Sequence, residues 1–335
     1  MTQASFSLQI HQKTCTPPGD VQVGDPLTFS FSRVSFDSKE DIMPQIAEIR
    51  RHPLVSGRIQ RLDEAFLGTR GIQFDRWWMA VKPDGTHVNQ LKNRKLATIE
   101  THLLSAGQVE FCGRKGQEPF RLPLRDPDVV SEDPSGQIVT VTKHGQPCKA
   151  VDLGDRAADW ISRELGEYVR LVQCSVGSLR PAGYEEGTQT SVAFQDRGSL
   201  LIASEASLAD LNRRLSAKGE EAVPMDRFRP NLVIGGCEPY EEETWRRIEI
   251  AGIEIALTVP SRRCAIITFD QTTGDKTGGE PFRMLGAYRM WDNGSRKKPI
   301  FGMNANHRGT GTISVGDPVR ILERGEPFVA RDLAL

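Results

Sequence analysis

The chain has 335 residues, which sets an expectation of about two domains and lets roughly three quarters of the unfolded surface be buried. Its 43 Lys and Arg balance 44 Asp and Glu to a formal net charge of -1, so no overall field draws it to nucleic acid or an anionic membrane. Cysteines at positions 15, 112, 148, 174, 237 and 264 form no C-x-x-C pair, which argues against a zinc ribbon, a cluster loop or a disulfide scaffold and suits reduced thiols in the cytoplasm.

No apolar run approaches the roughly 18 residues of a membrane span, and Met1-Thr2-Gln3-Ala4-Ser5 lacks the basic start of a signal peptide. The expectation is a soluble, cytoplasmic chain with neither membrane nor nucleic acid as partner. Its 31 glycines and 20 prolines cut the apolar segments short, which predicts an α+β fold of mostly antiparallel, barrel-like sheets with a few short helices.

In chain order, residues 7–11 and 27–31 alternate as two strands, separated by Pro17-Pro18-Gly19-Asp20. Val23-Gly24-Asp25-Pro26 leads into the second and has an echo in Val315-Gly316-Asp317-Pro318, ahead of a strand at 319–322; Gly-Asp-Pro is good turn chemistry before any strand. Residues 77–81 read as a strand, Pro83-Asp84-Gly85 as a hairpin turn and 86–88 as its return. Asp155 caps a helix over 156–165, with Ala157, Ile161 and Leu165 on one face and Gly166 as its stop. The segment 173–191 reads as a connection. Ser204 caps a second helix running through Lys218, with Leu208, Leu211 and Leu215 on one face and Gly219 beyond, and 241–247 reads as a third. Strands are expected at 232–234 and 265–269. The organisation is an extension over 1–44, a domain over 45–180 and another over 181–335.

Two segments concentrate rigid donors. Asp226-Arg227-Phe228-Arg229-Pro230-Asn231 offers guanidinium forks suited to phosphate and an amide suited to a heterocycle edge. Ser261-Arg262-Arg263-Cys264 puts two guanidinium groups beside a thiol, an arrangement that favours the thiolate needed for nucleophilic attack or for ligating a soft metal. Local chemistry leaves a small core cysteine as the competing reading. His11, His52, His87, His102, His144 and His307 show no ligand spacing and read as structural; Gly302, Gly309 and Gly311 make neither a P-loop nor a dinucleotide fingerprint. With neither Ser-x-x-Lys nor Gly-x-Ser-x-Gly, a hydrolase has no support.

Taken in order, these pieces resemble the MOSC family of molybdenum-cofactor proteins, in its amidoxime-reducing-component branch. The resemblance runs from about residue 45 to 323, through Arg70-Gly71-Ile72-Gln73-Phe74-Asp75-Arg76-Trp77-Trp78, Phe194-Gln195-Asp196, Ser204-Glu205-Ala206-Ser207-Leu208, Phe228-Arg229-Pro230-Asn231, Arg263-Cys264 and Val315-Gly316-Asp317. It implies a MOSC N-terminal barrel-like domain followed by a MOSC barrel, with a molybdenum cofactor, Mo-molybdopterin, between them. It also implies Cys264 as metal ligand and catalytic residue, and cofactor contacts at Ser56, Arg76, Asp196, Arg229, Asn231, Arg262 and Arg263. The implied activity is reduction of N-oxygenated small molecules, with electrons from a separate flavin reductase, ferredoxin or cytochrome-type protein, since the chain ends at Leu335 with no ferredoxin module. Sulfur transfer through a Cys264 persulfide, or cofactor binding without turnover, are the alternatives. Two departures stand out: His52-Pro53-Leu54-Val55-Ser56 has Val55 where the family commonly has lysine, and Ser261 stands where the family often has a first cysteine.

Overall fold

In the computed structural model the described residues are 43–105, 107–124, 136–143, 145–178, 180–181, 191–292, 294 and 296–330. The strands expected at 7–11 and 27–31, with His11, Cys15 and His144, lie outside them. The described residues group as one compact unit.

The first half carries β1 (Gln45–Arg51), β2 (Gln60–Leu62), β3 (Glu64–Gly68), β4 (Gly71–Ile72), β5 (Trp78–Val81), β6 (Glu100–Leu104), β7 (Gln108–Cys112), β8 (Phe120–Pro123), β9 (Gln137–Lys143), β10 (Gln146–Asp152), α1 (Asp155–Leu165) and β11 (Arg170–Cys174). Then follow β12 (Arg180–Pro181), β13 (Ser191–Val192), β14 (Leu200–Ser204), α2 (Glu205–Ser216), β15 (Leu232–Gly235), β16 (Trp245–Ile250), β17 (Ile253–Arg262), α3 (Phe282–Tyr288), β18 (Met290–Asp292), β19 (Lys297–Arg308), β20 (Gly311–Ser314) and β21 (Arg320–Arg324). A nine-stranded sheet runs β2-β1-β15-β14-β19-β17-β16-β21, with β18 attached to β19. A four-stranded sheet runs β5-β11-β10-β9.

The strand β1 comes from the first half of the chain yet pairs antiparallel with β15, and β3 pairs with β20. The ladders thus cross the position near 180 where a domain boundary was expected. The apolar residues explain the pairing. Ile46, Ile49, Leu232, Ile234, Ile255 and Met303 are buried in one cluster that no single half of the chain could close. A second cluster, with Trp78, Phe111, Trp160 and Leu171, lies under α1, and a third, with Leu211, Leu215, Phe228 and Phe301, lies under α2 and α3.

No closed barrel is found among the described residues. Within the nine-stranded sheet β2 and β21 are edges, and the far side of β1 meets the segment before β21 through an isolated bridge, Gln45 to Pro318. Among the described residues the fold is mostly β, in several antiparallel sheets with few helices. The parallel exception in the large sheet is β14 with β15, joined by α2 as a crossover helix.

Local expectations fare unevenly. The turn at 83–85 forms, with Gly85 at φ 80° and Lys82 N–H donating to Thr86 C=O at 2.9 Å. The second helix starts where expected, since Ser204 Oγ accepts the Ser207 N–H at 3.1 Å, although it ends at Ser216. The first helix begins one residue early: Gly154 is its N-cap, and the Asp155 carboxylate instead accepts from Arg170 Nη2 at 3.1 Å. The third helix is a correction. Residues 241–243 make one 3-10 turn and then β16 begins, because Ile248 and Ile250 alternate with Arg247 and Glu249 between two flanking strands. The strand expected at 265–269 is a second correction. The β17 ladder ends at Arg262 opposite Ile300, and Ala265–Thr268 is a 3-10 turn with Ile267 N–H bonded to Cys264 C=O at 3.3 Å.

Gly71 sets the hairpin that leads into Asp75 and Arg76. Its φ is +103°, and a Cβ there would lie 2.4 Å from Ser199 C=O. Gly71→Ala is therefore expected to cost about 2 kcal/mol or more, read as a lowered thermal midpoint; an unchanged midpoint overturns this account.

Candidate functional site

Cys264 is the N-cap of the Ala265–Thr268 turn, just past the end of β17, and its side chain is exposed. Cys148 and Cys174 are buried and Cys112 and Cys237 half-buried, with burial pushing the Cys174 and Cys237 thiols up to about 12 and Cys112 to about 11. Among the described residues Cys264 is the exposed thiol, and access is what a reactive or ligating thiol needs.

Arg263 anchors this turn. Its Nε and Nη2 donate to Phe301 C=O and its Nη1 to Phe228 C=O at 3.0 Å, while its guanidinium lies 5.6 Å from the Phe228 ring centroid. Burial brings its pKa down to about 10. Side-chain donors that the family resemblance assigned to a cofactor are thus bonded to backbone carbonyls.

Arg229 is different. It ends the Met225–Phe228 3-10 turn with φ 55°, and its Nη1 donates to Gly57 C=O at 2.8 Å and Gln271 Oε1 at 3.0 Å. Its Nη2 is buried and, among the described residues, has no hydrogen-bond partner. Burial first, and then the Arg76 charge, lower its pKa to about 9. Arg76, at φ 49°, bonds through Nη1 to the Asp75 carboxylate and to Asn231 Oδ1 at 3.1 Å, and through Nη2 to Arg229 C=O at 3.1 Å. Asn231 is 1% exposed and bonded to the protein itself.

Asp196 is open to solvent, 64% exposed at its side chain, and pairs with the buried Lys143 at 2.9 Å. Its charge partly offsets the burial that lowers the pKa of both Arg229 and Arg263, which places the three in one field. Ser56 lies on the β1–β2 loop at φ 66°, half-buried, and its C=O accepts from Gln90 Nε2 at 2.8 Å. Half-buried Arg262 stands at the end of β17, where its charge adds to the burial that lowers the pKa of Arg197. Hydrogen bonds thus join Arg229 to Gly57, Gln271 and Arg76, while Cys264 follows the anchored Arg263 at a turn of its own.

Residues 43–168 match the family model of the MOSC N-terminal beta barrel domain and residues 189–320 that of the MOSC domain. Mitochondrial amidoxime-reducing component 1 of Mus musculus is 30% identical over 297 residues, covering 83% of this chain and 82% of that protein. The chain belongs to the MOSC family. Mitochondrial amidoxime reducing component 2 of Rattus norvegicus is 33% identical over 258 residues, 73% of this chain and 72% of its own. Molybdenum cofactor sulfurase of Oryza sativa subsp. japonica is 31% identical over 256 residues, which are 72% of this chain but 30% of that longer protein. The mitochondrial names of the first two relatives do not carry the cytoplasmic expectation. Among the described residues, no helix is long and apolar enough to cross a membrane.

Set in this MOSC chain, Val55 is 5% exposed and packed into the cluster with Trp78, whose C=O accepts its N–H at 2.8 Å. Sequence reasoning missed Gln90, Lys143 and Gln271, none of which sits in a local motif. His52 was read as structural, and it is fully buried. Its Nε2 lies 3.1 Å from Pro230 C=O, an acceptor, so that nitrogen carries a proton.

Burial, followed by the charges of Arg76 and Arg229, holds the His52 pKa well below 6.5. Between that depressed value and 6.5 the unfolded chain binds the extra proton, so stability is intact above this window and lost as pH falls through it. His52 is expected to contribute up to ~1.4 kcal/mol of destabilisation per pH unit below its unfolded value. His52→Gln should flatten that slope in urea titrations on the acid side; an unchanged slope overturns the assignment.

Proposed function

We propose that this chain is a molybdenum-cofactor oxidoreductase that reduces N-oxygenated small molecules, with electrons delivered by a separate donor protein of flavin reductase, ferredoxin or cytochrome type. The molybdenum cofactor follows from the family; the substrate class and donor are the reading offered here. The observation that carries it is the buried Nη2 of Arg229, which has no hydrogen-bond partner among the described residues. A desolvated guanidinium with an unmet donor is costly unless an anion completes it, and the phosphate of a molybdopterin is such an anion.

The residues present fit that group. Arg229 and Arg76 would hold the phosphate end, with the Ser56 loop beside Arg229. Asp196, exposed and oriented by Lys143, would meet the donor edge of the pterin, and Arg262 would add positive charge at the rim. Cys264 would ligate the metal. Among the described residues no group of three His, Cys, Asp or Glu side chains is placed to hold a metal ion, so its other ligands would come from elsewhere than such a cluster. Bound there, the cofactor would supply two-electron oxygen-atom chemistry. Arg263 keeps Cys264 in place by tying its turn to the carbonyls of Phe228 and Phe301, and Asn231 holds Arg76 through Oδ1. Asn231 and Arg263 thus work here by positioning.

A second reading is sulfur transfer through a Cys264 persulfide, favoured by the exposure of that thiol and by the similarity to a molybdenum cofactor sulfurase. Protein purified from a molybdenum-replete host decides between them. The expected outcome is molybdenum and pterin in the wild type, and loss of molybdenum and of N-hydroxylated substrate reduction to background in Cys264→Ser. A metal-free wild type, or a Cys264→Ser variant with full turnover, overturns the proposal; a gain of one sulfur mass on Cys264 after treatment with a desulfurase supports the second reading.

A further inference from the structure

Gln90 and Gln271 lie 181 positions apart in the chain and are 0% and 5% exposed. Their amides pair reciprocally: Gln90 Nε2 donates to Gln271 Oε1 at 2.9 Å, and Gln271 Nε2 donates to Gln90 Oε1 at 3.0 Å. Three further bonds leave the pair. Gln90 Nε2 reaches Ser56 C=O at 2.8 Å, Gln271 Nε2 reaches Phe269 C=O at 3.1 Å, and Gln271 Oε1 accepts Arg229 Nη1 at 3.0 Å. One amide pair therefore joins the Ser56 loop, Arg229, and the turn that follows Cys264.

The orientation of Gln271 is determined by its neighbours. Flipping the amide would set its NH2 against the Arg229 guanidinium, donor against donor. The guanidinium is a rigid plane, so fixing Nη1 between Gln271 Oε1 and Gly57 C=O fixes where Nη2 points. Both of those acceptors are neutral. They hold the cation without cancelling its charge, and the nearest carboxylate in the hydrogen-bond network, Asp75, is bonded to Arg76 and to the His52 N–H instead.

We infer that Gln271, held by Gln90, is a positioning residue that aims the free edge of Arg229 at the anionic end of the cofactor and locks the Cys264 turn to the Ser56 loop. The inference rests on the proposed cofactor reading. A neutral side chain is required at 271, because a carboxylate would keep the bond to Arg229 but neutralise the charge offered to the anion.

The test uses the full chain from a molybdenum-replete host, with pterin retained after gel filtration read as fluorescence of the oxidised pterin. Gln271→Met, similar in length but without hydrogen bonds, is expected to retain about tenfold less, as the loss of one charge-assisted hydrogen bond implies. Gln271→Glu, whose second oxygen would face Gln90 Oε1 and Phe269 C=O, should lose more and melt below the wild type. Gln90→Met, which frees Gln271 from its partner, carries the test if neither variant folds, with reduced retention expected and wild-type retention overturning the inference. In Arg229→Met, adding Gln271→Met should cause no further loss; a purely structural role would instead multiply the two effects. Wild-type retention in Gln271→Glu, or multiplying losses in the double variant, overturns the inference alone. A wild-type chain without pterin or molybdenum overturns the proposed function and this inference with it.

Discussion

The side chain of Asn231 holds three backbone segments and one guanidinium in a single register. Its Oδ1 accepts from Leu201 N–H and Arg76 Nη1, both at 3.1 Å, and its Nδ2 donates to Arg50 C=O at 3.2 Å. Its backbone N–H bonds to Leu201 C=O and its C=O takes the Arg50 N–H, both at 2.7 Å. The strand β1 from one half of the chain is thereby locked to β14 and β15 from the other. An apolar side chain of similar size would leave these buried polar groups unpaired, which is why an amide is needed here.

From that junction the charges of the site follow. Pro230 C=O fixes the His52 tautomer, Arg229 C=O takes Arg76 Nη2, and Arg229 adopts a left-handed backbone that turns its side chain toward Gly57 and Gln271. His52 is buried and Arg76 and Arg229 are half-buried within a few bonds of one another, and Asp75 balances only part of the arginines' charge. Proteins hold such uncompensated positive charge away from water at sites that receive an anion, because elsewhere the desolvation cost has no return.

Rigid and exposed parts of the site are separated. Arg263 is buried and bonded to carbonyls, while the adjacent Cys264 is exposed at the mouth of a short turn. Lys143 is buried and its partner Asp196 is exposed. In each case a buried cation fixes an exposed group that can meet a ligand, so the geometry is prepared before anything binds.

Short-range chemistry was enough to read the turn at 83–85, the Ser204 cap and the strand at 232–234, because each depends on residues within a few positions. The ordered motifs likewise sufficed for family membership, whereas the exposure of Cys264 emerged only in the fold. The third helix and the strand after Cys264 were misread, since in both places neighbouring strands and burial overrode local pattern. Barrel closure is not legible in the sequence for a similar reason: it depends on how distant segments meet, here β1 and the segment before β21 at Gln45 and Pro318. The division of labour among the arginines was also out of reach of the motif. Arg229 and Arg263 look alike in the sequence, but one keeps an unmet donor and the other spends its donors on carbonyls, and that difference arises only where Gly57, Gln271, Phe228 and Phe301 are brought together by the fold.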